Sequence, residues 1–368
     1  MFRKILSVVT LLLLAFVLWN AREEVFQAIN YLGQTNIWII LLLIPEQLFM
    51  YFCCGQMFFS YIKAKSYTTR TKADDGAQKL KLWTLMRISF ELNFVNHAVP
   101  SGGVSGLGYI AWRLKPYGSS YAQTSFMYLL RYIITIIANQ TQTLIAIAIL
   151  LISQSFPTEN SWILWLVALS CIGVVTACFI AIFVISSKKR ISWFAKLVSS
   201  LVNWLVKTIT FGHKQQLLKE SDVKSYCNEL HESYEEARKN RRILIHPILW
   251  GIVYSFFEVA TYWIVATSMG HFEIFPAILV GEAIGSVFGA ILPTPGGVGG
   301  YEGSMVFIMS LLGVEIGLAT AVVVTTRMAV LIGTITSGYG FYQHAISTIG
   351  KKDKKDIEKL NSRHANVG

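Results

Sequence analysis

The sequence predicts an all-α polytopic membrane protein, with about six full spans and two re-entrant helical hairpins in an inverted-topology repeat. Three observations carry this reading. Of the 368 residues, 54% are hydrophobic and only 14% charged, with a mean hydropathy of +0.50; that composition excludes an ordinary soluble domain. Several apolar runs reach the roughly 20 residues a helix needs to cross hydrocarbon. Two Gly/Pro-rich breaks, VPSGGVSG at 99–106 and ILPTPGGVGGYEG at 291–303, interrupt apolar segments in related settings. A transmembrane β-barrel would need alternating segments of about 10 residues, and none is present.

The full spans are expected at about 4–20, 36–62, 119–152, 161–187, 243–269 and 316–345. Residues 3–18 have the basic start and apolar core of a signal peptide. No small-x-small cleavage site follows, so a retained first span is expected. Apolar segments 82–99 and 275–292 run into the breaks, and shorter arms follow at 104–114 and 303–313. Arms this short argue for hairpins that return to the side they entered, the alternative being eight to ten spans. The chain then divides into 1–35 (first span and outer loop), 36–187 (first repeat half with an extra span), 188–242 (amphipathic and charged helices), 243–346 (second repeat half) and 347–368 (basic tail).

Charge orients these elements. Basic residues concentrate at the N-terminus and in 63–81, 188–242 and 347–368, whereas 153–160 and 270–275 have none. By the positive-inside rule these basic segments face the cytoplasm, as do both termini, in a cell membrane. Arg113 and Lys115 then also fall inside, while Arg87, Arg131 and Arg327 lie within the membrane. In ISWFAKLVSSLVNWLVKTITF, Phe194, Leu197, Val198, Leu201 and Leu205 share one helical face, opposite Lys196, Ser200, Asn203 and Lys207. That pattern predicts a helix lying in the interface. A charged helix is expected over 220–241, with Val223, Cys227, Leu230 and Tyr234 on its apolar side. The basic residues suit topology and anionic lipid headgroups better than nucleic acid. No metal or cofactor is expected, because the five cysteines and the histidines show no ligand spacing.

The two breaks sit in a repeat. Glu91 and Glu282 each precede a Pro, Pro100 and Pro293. Gly102-Gly103-Val-x-Gly106 matches Gly296-Gly297-Val-x-Gly300. Arg131 and Arg327 follow in apolar helices, and Glu46 and Glu258 sit mid-helix in the preceding spans, shortly before Tyr51 and Tyr262. With the expected topology the halves are inverted, as in transporters whose broken helices meet near the midplane. Non-helical backbone at that depth is tolerated where it is buried in protein or lines a cavity. Gly102, Gly103, Gly106, Gly296, Gly297, Gly299 and Gly300 let backbone N–H groups converge at helix N-termini, an arrangement suited to a phosphate or carboxylate; tight turns and close packing would need the same glycines. Arg131 and Arg327 can clamp a lipid phosphate, or can pair with Glu91, Glu282 or Glu302 to fix packing. Asn96 is a further binding candidate. Glu46, Glu91, Glu258, Glu282 and Glu302 are candidates for charge balance or coupling.

With these motifs in hand, the chain resembles the lysylphosphatidylglycerol synthase transmembrane-region family, also called flippase-like. Asn96 through Gly103 resembles its first, Asn-x-x-x-Pro-type motif, and Leu292 through Glu302 its second, Leu-Pro-x-Pro-Gly-Gly-x-Gly-x-x-Glu. Arg327 looks like the arginine of the following helix. In multiple peptide resistance factors the module resembles a flippase fused to an aminoacyl transferase; no such domain is expected here, so no enzyme activity is. The resemblance implies translocation of a phospholipid or polyprenyl-linked anionic lipid. Two other classes remain open: an adaptor or lipid-binding partner of a separate lipid synthase, and a coupled permease for a small anion.

Overall fold

The computed structural model describes residues 35–68, 80–98, 104–153, 156–209, 220–291 and 299–348. The expected first span at 4–20, Gly102, Gly103, Gly296, Gly297 and most of the basic tail lie outside them. The described residues form helices and no strand. After a helical turn at Ile37–Ile40, the helices are α1 (Leu43–Thr68), α2 (Leu82–Ala98), α3 (Val104–Leu114), α4 (Tyr121–Ile152), α5 (Trp162–Ile185), α6 (Lys188–Ile209), α7 (Glu220–Lys239), α8 (Arg242–Ser268), α9 (Phe275–Ile291), α10 (Gly300–Leu311) and α11 (Ile316–Gly333). A π-helical turn at Thr334–Gly338 continues α11, which stays helical to 348.

Among the described residues, six stretches are long and apolar enough to cross a membrane: 37–64, 121–152, 162–185, 242–268, 272–289 and 316–348. The protein is therefore a multi-pass membrane protein. Five of these stretches match expected spans. The sixth is the first arm of the second broken segment, which hydropathy alone ranks as a span. Hydropathy does not report where the next helix goes. α10 has 12 residues, so it is about 18 Å long, well short of the roughly 30 Å of hydrocarbon.

The two halves run in opposite directions. α1 and α8, the first helices of the two repeats, pack antiparallel along their length. The Asn36 N–H donates to the Ser268 carbonyl at 2.8 Å. Gln47 Nε2 donates to Thr261 Oγ1 at 3.2 Å. The Phe49 ring lies 4.8 Å from Phe257, and Phe52 meets Trp250 edge-on at 5.4 Å. α2 runs antiparallel to α11, with Arg87 over Phe341 and Asn93 bonded to Thr334. In the other half α9 packs on α4 through Asn139 and Glu282.

Each broken segment forms an antiparallel pair. In the first, α2 and α3 meet through Glu91 with Tyr109 and Arg113. In the second, Gly281, Gly285 and Gly289 form a stripe on α9 against Met309, Met305 and Tyr301 of α10. Small residues every fourth position let two membrane helices approach closely. A Cβ at Gly285 would sit 3.2 Å from the Tyr301 carbonyl oxygen, whereas one at Gly303 meets nothing within 4 Å. Gly285→Leu is therefore expected to cost about 1–3 kcal/mol by overpacking, and Gly303→Ala to leave stability unchanged. Thermal unfolding of the purified variants checks this; equal losses would refute the close-packed pair.

The ends of the molecule are distinct. At one end lie α6 and α7, the start of α4 and the end of α5. α7 seats Cys227 against Ile185, Ile191 and Ala195, with Val223, Leu230 and Tyr234 alongside. The Trp193, Phe194 and Leu197 side chains of α6 stay exposed, as an interfacial helix requires. At the other end, Asn160 Nδ2 donates to the Leu311 carbonyl at 2.7 Å, joining the start of α5 to the end of α10. A cysteine at Ser225 on α7 is expected to label only from the cytoplasm, and one at Glu273 only from outside, in a background free of the native cysteines. Labelling of both from one side would overturn the opposed arrangement.

Candidate functional site

One face of α8 organises the polar interior. Tyr254, Glu258 and Tyr262 are spaced four apart, so they stack along the helix over about 12 Å. Each repeat contributes an arginine to this stripe. Arg131 of α4 donates from Nη2 to Tyr254 Oη at 3.3 Å, and its Cζ lies 5.3 Å from the Tyr254 ring and 5.8 Å from that of Tyr132. Arg327 of α11 lies at the Tyr262 end, with Cζ 4.2 Å over Tyr301, whose ring stacks on Tyr262 at 6.3 Å. Glu258, between them, interacts electrostatically with both guanidiniums. Aromatic faces help to hold a cation where water is scarce.

The arginines differ in their partners. Arg327 Nε donates to Glu302 Oε1 at 2.6 Å, and the Gly299 N–H donates to Glu302 Oε2 at 2.7 Å. Glu302 thus caps the start of α10 and balances Arg327 at once. Gly299 makes this turn possible with φ 89°, a conformation that favours glycine. His97, at the end of α2, is in electrostatic contact with both Arg327 and Glu302, and bonds the Asn93 carbonyl through Nδ1 at 2.9 Å. The described ends of the two broken segments therefore converge, although their arms start from opposite ends of the molecule. Arg131 has no carboxylate within ion-pairing distance among the described residues. It borders a recess whose other walls include Met57, Phe58, Leu130, Ile134 and Pro247.

The remaining candidates fall around these two centres. Asn96 Nδ2 donates to Tyr128 Oη at 3.2 Å, and Tyr128 Oη lies 3.2 Å from Tyr132 Oη, which places Asn96 beside the Arg131 centre. Gly106 packs on Asn96, and a Cβ there would collide with the amide. Gly300 begins α10. Glu46 is buried on α1 and accepts from Gln47 at 2.9 Å and from Thr261 at 3.1 Å. Glu282 accepts from Asn139 at 3.3 Å. Glu91 pairs with neither Arg131 nor Arg327. Arg113, expected at the cytoplasmic flank, instead turns back into the first pair and binds Glu91 through Nε at 2.6 Å and Nη2 at 3.1 Å. The antiparallel register of α2 on α3 brings these two side chains together.

Five tyrosines belong to the site without being selected from the sequence for binding: Tyr128, Tyr132, Tyr254, Tyr262 and Tyr301. The signal for four of them is a helical spacing, four residues for 128/132 and eight for 254/262. On an apolar helix, that spacing reads first as packing.

A family model described as the lysylphosphatidylglycerol synthase TM region matches residues 4–338. No curated protein and no solved structure matches the chain.

Proposed function

The chain belongs to the lysylphosphatidylglycerol synthase TM region family, and we propose that it binds an anionic phospholipid or polyprenyl-linked headgroup at the α8 stripe and moves it between leaflets. The observation that carries this reading is the pair of arginines from inverted halves at the two ends of Tyr254–Glu258–Tyr262, one paired with Glu302 and the other with no carboxylate within ion-pairing distance among the described residues. A phosphate is the complement of an unpaired guanidinium in such a setting. The glycine-rich sequences of both broken segments would add backbone donors, and Asn96 a side-chain donor.

Lateral access favours a lipid over a small soluble anion. Tyr132, beside Arg131, is 37% exposed. The recess next to Arg131 is walled mainly by apolar side chains. The work asked of the protein is to carry the headgroup charge past hydrocarbon, and paired arginines flanking one glutamate supply a graded set of counter-charges for that path.

Reconstitution tests the proposal. Liposomes containing the purified protein are expected to expose fluorescently labelled phosphatidylglycerol to an outer-leaflet quencher faster than empty liposomes do. Mass spectrometry of lipid copurified with the protein is expected to show enrichment of anionic species. Translocation equal to that of empty liposomes would overturn the transport reading, and retained anionic lipid without transport would favour a lipid-binding adaptor.

A further inference from the structure

A hydrogen-bonded ladder crosses from α4 to α9 through α8. Gln142 Nε2 donates to Ser255 Oγ at 2.7 Å, Ser255 Oγ donates to Asn139 Oδ1, and Asn139 Nδ2 donates to Glu282 Oε1 at 3.3 Å. Every donor points the same way, and Asn139 carries the ladder to the Glu282 carboxylate, with Glu258 also within its reach. Glu282 is 2% exposed, and its second oxygen, Oε2, makes no hydrogen bond of normal geometry, although the Tyr301 hydroxyl approaches the carboxylate. A buried carboxylate oxygen without a well-formed hydrogen bond is expensive in its charged form, and a proton on that oxygen removes the penalty.

We infer that Glu282 is a proton-binding site, protonated at Oε2 from bulk water when an anionic headgroup enters the α8 stripe and deprotonated when it leaves. Binding forms one O–H bond and neutralises one carboxylate; no other reactant is needed. The location rests on the ladder and on Oε2, and the coupling rests on the headgroup reading above.

The groups facing Glu282 support a proton. From α8 come Glu258 and Tyr262, from α10 Tyr301, and from α11 Arg327. α4 presents the neutral amides of Asn139 and Gln142, and α5 carries no charged residue. Glu46 of α1 faces Glu258. Three carboxylates, Glu258, Glu282 and Glu302, thus share this layer with the two guanidiniums of Arg131 and Arg327. With Glu46 counted, four carboxylates face two guanidiniums, and a proton at Glu282 halves the excess of negative charge, so that an incoming anion is repelled less. A metal ion is the poorer occupant, because no group of three or more His, Cys, Asp or Glu side chains converges among the described residues.

Infrared difference spectra of the purified full-length protein between acidic and alkaline buffer test the site directly. Wild type is expected to show a carboxylic-acid carbonyl band that titrates, and Glu282→Gln to lose it. Asn139→Leu, which removes the donor at Oε1, is expected to displace the midpoint of the same band. An unchanged set of bands in both variants would overturn the inference, as would a band moved by sodium and insensitive to pH. The transport arm uses liposomes with an internal pH dye, in which proton uptake is expected to accompany labelled phosphatidylglycerol in wild type. Translocation without the Glu282 band refutes the proton site alone, and the band without translocation refutes the headgroup reading alone.

Discussion

Glu91→Gln is expected to destabilise the protein by about 3–5 kcal/mol, the usual loss when one partner of a buried ion pair is removed. The Glu91 side chain is fully buried and the Arg113 side chain 5% exposed. Three donors converge on this carboxylate: Arg113 Nε at 2.6 Å, Arg113 Nη2 at 3.1 Å and Tyr109 Oη at 2.8 Å. A neutral amide keeps the shape but leaves the guanidinium buried without a counter-charge, and turns an N–H group toward the arginine. The pair also clamps α2 to α3, so its loss frees the first broken segment. Taking both charges out as Glu91→Leu with Arg113→Met is expected to restore most of the stability, because an apolar pair avoids the desolvation penalty altogether. Thermal unfolding in detergent, followed by size-exclusion fluorescence, measures both. A single variant as stable as wild type would mean that water reaches the pair and that the arms are held by packing alone.

That pair marks where sequence reading stops. The spans were legible because length and hydropathy fix them, and because Ser120, Gly118 and Gly270 punctuate their ends: 119–152 was expected and Tyr121–Ile152 is found, 243–269 was expected and Arg242–Ser268 is found. The inverted arrangement was legible because two Gly/Pro breaks recur at matched distances from Glu and Arg. Pairing was not. Whether Glu91 meets Arg113, Arg131 or Arg327 depends on the register of α2 on α3, and no periodicity encodes that. The same limit hid the Gln142–Ser255–Asn139–Glu282 ladder, whose members lie on three helices. The pairing of Glu302 with Arg327 was among those the sequence offered, whereas its cap on the Gly299 N–H was not. The Gly281/Gly285/Gly289 spacing is plain in the sequence, but only the fold says that its face meets Tyr301 and Met305.

Arg131→Gln is expected to slow phospholipid translocation about tenfold or more, equivalent to about 1.4 kcal/mol or more on the barrier, while leaving the folded protein as stable as wild type. The two expectations belong together. An arginine within a span carries an insertion penalty of roughly 2.5–3.5 kcal/mol, and Arg131 recovers part of it through Tyr254 Oη, two ring faces and the more distant Glu258. A residue held there for packing would be missed by the fold when replaced; one held there for a ligand would not. Its fork offers a lipid phosphate charge-assisted hydrogen bonds worth about 1.5–3 kcal/mol, and glutamine supplies neither the charge nor the fork. Arg131→Lys keeps the charge without the planar geometry, so an intermediate rate is expected. Arg327→Gln is a different case, because it also strips Glu302 of its partner at 2.6 Å, so it is expected to lose stability and transport together. Measured side by side in the quencher assay and in thermal unfolding, Arg131→Gln separates headgroup binding from architecture. A wild-type rate in Arg131→Gln would sink the role given to this guanidinium, and a loss of rate matched by a loss of fold would move Arg131 to the structural side.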